Sequence, residues 1–444
     1  MTLSCRSGLA VLALPLLLTA CGGNSWFGVS EDETPLPGER IPVMALDSRL
    51  TPDLDLADKP ATVPEPEINS FWPQAGGYPN HAMKHLSLDA DLRVDWRADI
   101  GTGRSGTYRL TSEPIVVDER IFAMDSESRV SAFNTETGRR LWQVETAPDG
   151  DEGDGLAGGI AFGGSYIYAT SGYGQVVALD PETGDQKWAR KLSSPSRAAP
   201  TIHEGRVFVT TLDNKLLALS AEDGTPIWDH SGILEETGLL GAGSPAAMGP
   251  QVVVGYSSGE IVSLRIENGR VLWADSLASL RRRGLMSRLA HIRGAPVMDG
   301  RLVYAVSNSG RTVAIDQRNG VRVWQAELGG SQRPWPAGDS VFVITSESEL
   351  VALERISGRI RWVTQLDRYE DGDEDNPRTT WVGPVLAGGS LIAVSSDGRM
   401  AMASPATGDV VDMRDVGDSF SIPPVVAGKT LYLLDDSGTL YAIR

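Results

Sequence analysis

One short cassette recurs along the chain and constrains its fold more than any other feature. Gly-x-x-x-Trp appears at Gly138–Trp142, Gly184–Trp188, Gly224–Trp228, Gly269–Trp273, Gly320–Trp324 and Gly358–Trp362. Upstream of each copy lies a β-rich apolar stretch such as Gln175-Val-Val-Ala-Leu-Asp180, then a turn such as Pro181-Glu-Thr-Gly184. That order reads as strand, hairpin turn, strand, with glycine where the turn needs a positive φ. Further upstream, Pro-Val-x-x-Gly (Pro296 to Gly300, Pro384 to Gly388, Pro424 to Gly428) precedes another short strand, so each unit holds four strands.

Spacing sets the number of units. Trp96 to Trp362 is 266 residues over six intervals, about 44 each, the size of a four-stranded propeller blade. A seventh copy keeps Thr407-Gly408 but has Asp412 where its tryptophan falls, and an eighth starts at Pro424 and stops at Ile443-Arg444, short of its turn and last strand. The missing strand with its tryptophan is found upstream, in Leu92-Arg-Val-Asp-Trp96. The sequence therefore predicts an all-β, eight-bladed β-propeller over residues 85–444, closed by an N-terminal strand that completes the last blade. Closure leaves only short, protected edges. Trp96, Trp142, Trp188, Trp228, Trp273, Trp324 and Trp362 are read as blade-docking residues, large rings that bury against the neighbouring blade.

Residues 1–20 carry Arg6, an apolar run from Leu9 to Leu18, then Thr19-Ala20, the layout of a secretory signal. Leu18-Thr-Ala-Cys21 resembles the bacterial lipobox, which implies cleavage before Cys21 and acylation of that cysteine. Gly22-Gly23, with no aspartate after the cysteine, implies the periplasmic face of the outer membrane. Residues 21–84 are proline- and acid-rich without sustained periodicity, and read as a disordered tether.

The pattern Ala178-Leu-Asp-Pro-Glu-Thr-Gly-x-x-x-Trp188 resembles the tryptophan-docking motif of the quinoprotein (PQQ-repeat) propellers. Two families of different function share that fold: PQQ-dependent dehydrogenases and the BamB family. The dehydrogenase reading implies an adjacent cysteine pair and acidic ligands for calcium, whereas the chain has two cysteines, Cys5 in the signal and Cys21 at the lipobox. The acidic runs Asp149–Asp154 and Glu370–Asn376 lack EF-hand spacing and read as solvated loops, and the five histidines make no ligand cluster, although His81 and His85 are spaced for one helix face. No cofactor and no metal are expected. Resemblance to the BamB family implies a non-catalytic scaffold lipoprotein that docks on a periplasmic POTRA domain of the barrel-inserting, BamA-like subunit and assists unfolded outer-membrane clients.

Loops joining one blade to the next emerge on one face, so long ones mark a contact surface. From each tryptophan to the proline opening the next blade the lengths are 12, 17, 23, 10 and 22 residues after Trp188, Trp228, Trp273, Trp324 and Trp362. The 23-residue insert holds Arg281, Arg282, Arg283, Arg288 and Arg293 among Leu285, Met286, Leu289 and Ile292, in a protein of net charge −18. That acidic balance excludes nucleic acid as a partner. The arginine-rich insert reads either as a solvated loop or as a docking site for an acidic partner. In the BamB family the partner contact uses these two inserts, through leucines and an arginine in the first and two aspartates in the second. Aligned on Pro245 and Pro296, the corresponding positions are Leu239 and Leu240, then His291 and Arg293, so the polarity is inverted. Leu239, Leu240, Arg288, His291 and Arg293 are the candidate contact residues.

Overall fold

The computed structural model describes residues 50–444 except 57–58, 107, 149–156, 197, 235–240 and 279–290. The signal, Cys21 and the first part of the expected tether lie outside the described residues. The described chain forms eight four-stranded antiparallel sheets, an eight-bladed β-propeller. Numbered in chain order, blades 1 to 7 span 115–145, 157–191, 201–231, 246–276, 297–326, 335–365 and 381–415. Blade 8 takes three strands from 425–443 and its outermost strand, Val94–Asp99, from upstream of blade 1.

Burial follows the sequence pattern. Second and third strands such as Arg206–Thr210 and Glu260–Arg265 are covered on both faces and read as continuous apolar runs, whereas outer strands such as Gln186–Lys191 alternate between exposed and half-buried. Within a blade one row fixes the packing. Phe208 in the second strand lies across from Ala218 in the third, and Ala218 across from Trp228 in the fourth. The small middle residue leaves room for the aromatic pair, with ring centroids 5.8 Å apart. The same row recurs as Phe122, Ala132, Trp142 and as Phe342, Ala352, Trp362.

Each tryptophan lies on the hairpin glycine of the following blade. A Cβ at Gly138 would sit 2.6 Å from the Trp96 ring, and one at Gly358 2.5 Å from Trp324, so any other residue clashes there. Gly138 also holds φ 66°, a conformation glycine adopts without strain. The indole N–H then donates to a carbonyl of that same turn: Trp96 to Thr135, Trp142 to Pro181, Trp273 to Gln317 and Trp362 to Pro405, at 2.7–3.1 Å. Trp188 departs from this, because the equivalent carbonyl, Ala221, accepts from the Tyr168 hydroxyl instead.

Asp412 occupies the tryptophan position of blade 7, across from Met402 and followed by the same bulge. The seam explains the exchange. A tryptophan there would need the third-to-fourth-strand hairpin of blade 8, and those two strands come from opposite ends of the propeller sequence. In place of a hairpin, Arg93 and Arg444 exchange backbone hydrogen bonds at 2.7 and 2.9 Å, and Arg414 reaches the Leu92 carbonyl. No turn glycine is present to receive an indole.

The structure corrects the tether. From Leu50 the chain is ordered against the ring, and residues 67–87 form a strap that makes one circuit over the propeller axis. Asn69 pairs with blade 8 through Val426 and Gly428, Trp72 with Val116 of blade 1, Pro73 with Phe162 of blade 2, and the Gln74 amide with Ile202 of blade 3. Pro79 accepts from Ala247 of blade 4, Asn80 from Met298 of blade 5, Lys84 from the Trp335 indole of blade 6, and Leu86 pairs with Leu386 and Gly388 of blade 7. Glu67 then pairs with His85 and Ser87, closing the circuit. The physical reason is the free edge of each innermost strand. Those edges carry unpaired N–H groups facing the axis, and a strap of any backbone shape that presents carbonyls satisfies them. Proline serves as well as any residue here, since it loses its donor and keeps its acceptor. Trp72 is completely buried and joins the main core.

Candidate functional site

The long inter-blade inserts rise where the innermost strands begin, at the end of the ring opposite the strap's contacts. Of the five candidate contact residues, Leu239, Leu240 and Arg288 lie outside the described residues. His291 and Arg293 are described, and they differ. His291 is buried rather than presented to a partner, its carbonyl accepting from the Asn308 N–H at 3.1 Å. Burial, and after it the charge of Arg293, lowers its pKa to about 4, so the ring is neutral at physiological pH. Ile292 beside it anchors the insert: its side chain fills the space a Cβ on Gly255 would take, 2.6 Å away.

Arg293 is only partly buried and lies over the other insert, its Nε 3.3 Å from where a Cβ on Gly241 would stand. Gly243 likewise meets Ala295, so the roots of the two inserts touch. At the start of the first insert Ile233 and Leu234 are 59% and 69% exposed, an apolar pair that the sequence reading passed over in favour of Leu239 and Leu240. Their signal was available, as two adjacent large apolar residues just outside an outer strand.

These roots rim a well of about 180 Å³ on the propeller axis. The strap floors it. Glu113, in its wall, accepts from the Gly76 N–H at 2.8 Å with one carboxylate oxygen and from Arg333 at 3.1 Å with the other, and both side chains are about 10% exposed. A Cβ at Gly76 would lie 2.7 Å from the Arg333 guanidinium. His81 and His85, spaced for a helix face in sequence, sit on the non-helical strap. Each gives Nδ1 to a carbonyl, of Pro296 and Pro64, at 2.7 and 2.6 Å. Among the described residues no group of three or more His, Cys, Asp or Glu is placed to hold a metal ion. The acidic run 149–154 lies outside the described residues; that at 370–376 closes on itself, the Asn376 amide donating to the Glu370 carbonyl.

A family model described as outer membrane protein assembly factor BamB matches residues 83–155 and 126–364. The chain belongs to the BamB family. Relatives so named include those of Escherichia coli (strain K12), 26% identical over 78% of this chain and 88% of the relative, and Yersinia pestis, 25% identical over 78% and 87%. Among solved structures, BamB from Moraxella catarrhalis superposes with a TM-score of 0.68 at 20% identity, covering 80% of this chain and 99% of that one. A quinohemoprotein alcohol dehydrogenase from Comamonas testosteroni shares the fold at a TM-score of 0.64 and 15% identity, covering 84% and 80%. At these identities the structural likenesses show the propeller and no chemistry.

Proposed function

We propose that this protein is a non-catalytic scaffold of outer-membrane β-barrel assembly, held at the periplasmic face by lipid on Cys21. It docks on a POTRA domain of the barrel-inserting subunit with the inserts 232–244 and 277–294. The observation that carries this reading is the meeting of the two inserts at Gly241 and Arg293, with the exposed pair Ile233 and Leu234 at their root. Exposed apolar side chains suit a transient protein interface, and family membership supplies the partner class. His291 contributes by holding the second insert in place, and Arg288, Arg293, Leu239 and Leu240 are the side chains offered to the partner.

The test is a double substitution, Arg288→Glu with Arg293→Glu, in the full-length protein. The expected result is loss of co-purification with the barrel-inserting subunit at matched salt, with the circular dichroism of the propeller retained. Unchanged co-purification refutes the assignment of these inserts.

A further inference from the structure

The axial well carries more positive charge than its own carboxylate balances. Most described arginines have a carboxylate partner, as Arg129 has Asp125, Arg322 has Asp275 and Arg355 has Asp299. Arg293 has none among the described residues: no described carboxylate lies within ion-pairing distance of it, and no described group hydrogen-bonds its side chain. It is also partly withdrawn from water, and burial alone pushes its pKa below the ordinary arginine value. In a protein with 58 acidic and 40 basic residues, a partly desolvated guanidinium with no counter-ion among the described residues is an expensive arrangement.

The surroundings are those of an anion receptor. Arg109, which also lines the well, donates to the carbonyls of Gly106 and Tyr108 and has no carboxylate partner among the described residues. Arg333 is balanced by Glu113. The wall therefore carries three guanidiniums against one carboxylate. Glycine and alanine backbone makes up much of the rest, with hydroxyls from Thr111, Ser244, Ser331 and Ser421. Glu113 repels a dianion such as phosphate more than a monoanion. The strap closes the floor, so a ligand enters from the insert face.

We propose that the axial well is a receptor for a single carboxylate, bound by Arg293, with Arg109 lining the same well. The group is that of a small carboxylic acid or of an Asp or Glu side chain presented from the insert face. The site goes beyond the docking proposal and does not rest on it.

Isothermal titration of the purified full-length protein at constant ionic strength tests this, with sodium propionate, N-acetyl-aspartyl-methylamide, sodium phosphate and sodium chloride as probes. Saturable one-site uptake of a carboxylate is expected, weakened about tenfold or more by Arg293→Gln, the loss of one charge-assisted hydrogen-bonding group. Arg293→Lys restores part of it, and Arg318→Gln, on the exposed outer surface, leaves it unchanged. Uptake of propionate alone makes the ligand a free acid, and uptake of the aspartyl amide as well makes it a side chain; either supports the site. Equal affinity in Arg293→Gln, tighter binding of phosphate than of either carboxylate, or no saturable uptake up to about 10 mM overturns it. Arg109→Gln, read by the same titration, serves if the first variant does not fold. No partner is present, so the result is independent of whether the inserts dock on a POTRA domain.

Discussion

Replacing Trp324 by alanine measures how much a blade seam contributes. The ring is 6% exposed, lies on Gly358 of the next blade and donates its indole N–H to the Arg355 carbonyl at 2.9 Å. Removing roughly 200 Å² of buried aromatic surface, at about 25 cal/mol per Å², gives an upper value of about 5 kcal/mol. A carbonyl left without its donor adds about 1 kcal/mol, and partial collapse of the seam subtracts a similar amount, so a loss of ~3–5 kcal/mol is expected. The informative companion is Asp412→Trp. If tryptophans stabilise by resting on the next hairpin glycine, a tryptophan at 412 finds no such turn in blade 8 and gains less than about 1 kcal/mol. Guanidinium denaturation followed by circular dichroism reads both variants, compared at unchanged m. A change under about 1 kcal/mol for Trp324→Ala, or a gain for Asp412→Trp comparable to that loss, refutes the seam argument.

Three further outcomes follow from the same geometry. His81 is buried, and burial followed by the charge of Arg333 lowers its pKa from 6.5 to about 3. The unfolded chain thus takes up the proton first, and stability present above pH 6.5 falls as pH drops toward 3, by about 1 kcal/mol per unit. His81→Asn, which tolerates the φ of 62° there, should flatten the pH dependence of the unfolding free energy by that amount; an unchanged slope contradicts the assignment. Trp72→Ala should cost ~3–5 kcal/mol and open the strap to trypsin at Lys84, whereas an untethered segment would make it neutral in both stability and digestion maps. Cys21→Ser should release the protein from membrane fractions, and acyl chains still present by mass spectrometry would show that the lipobox reading is wrong.

The ring was legible in sequence because its determinants are local and chemically strict. A glycine under a tryptophan tolerates no Cβ, so the cassette is repeated wherever a blade meets a hairpin. The missing eighth strand was legible for the same reason, being identifiable as a strand with a tryptophan wherever it lay. The exchange at Asp412 was readable in principle: once the last blade is closed by an upstream strand, the preceding tryptophan has no hairpin to rest on. The strap was not legible, because nothing in residues 67–87 is periodic. Its order comes from eight free strand edges that exist only after the ring has formed. The local hint was Trp72, a large apolar residue in a segment otherwise read as solvated.

At the site, loop length located the inserts, but an irregular loop carries no period to say which side chains face inward. His291 and Arg293 are two positions apart and had equal standing as contacts in sequence. Structure separates them through neighbours remote in the chain: Asn308 and the packing around Ile292 draw His291 into the core, while Gly241 leaves room for Arg293 beside the axis. The charge of the second insert then has two distinct components. The docking proposed for Arg288 acts across a transient interface, where a partner's field is screened over about 10 Å at ordinary salt. Arg293 acts from a desolvated wall where screening is weaker. Salt should therefore weaken capture of a partner more steeply than it weakens carboxylate uptake in the well, so the two roles of one insert are separable by ionic strength alone.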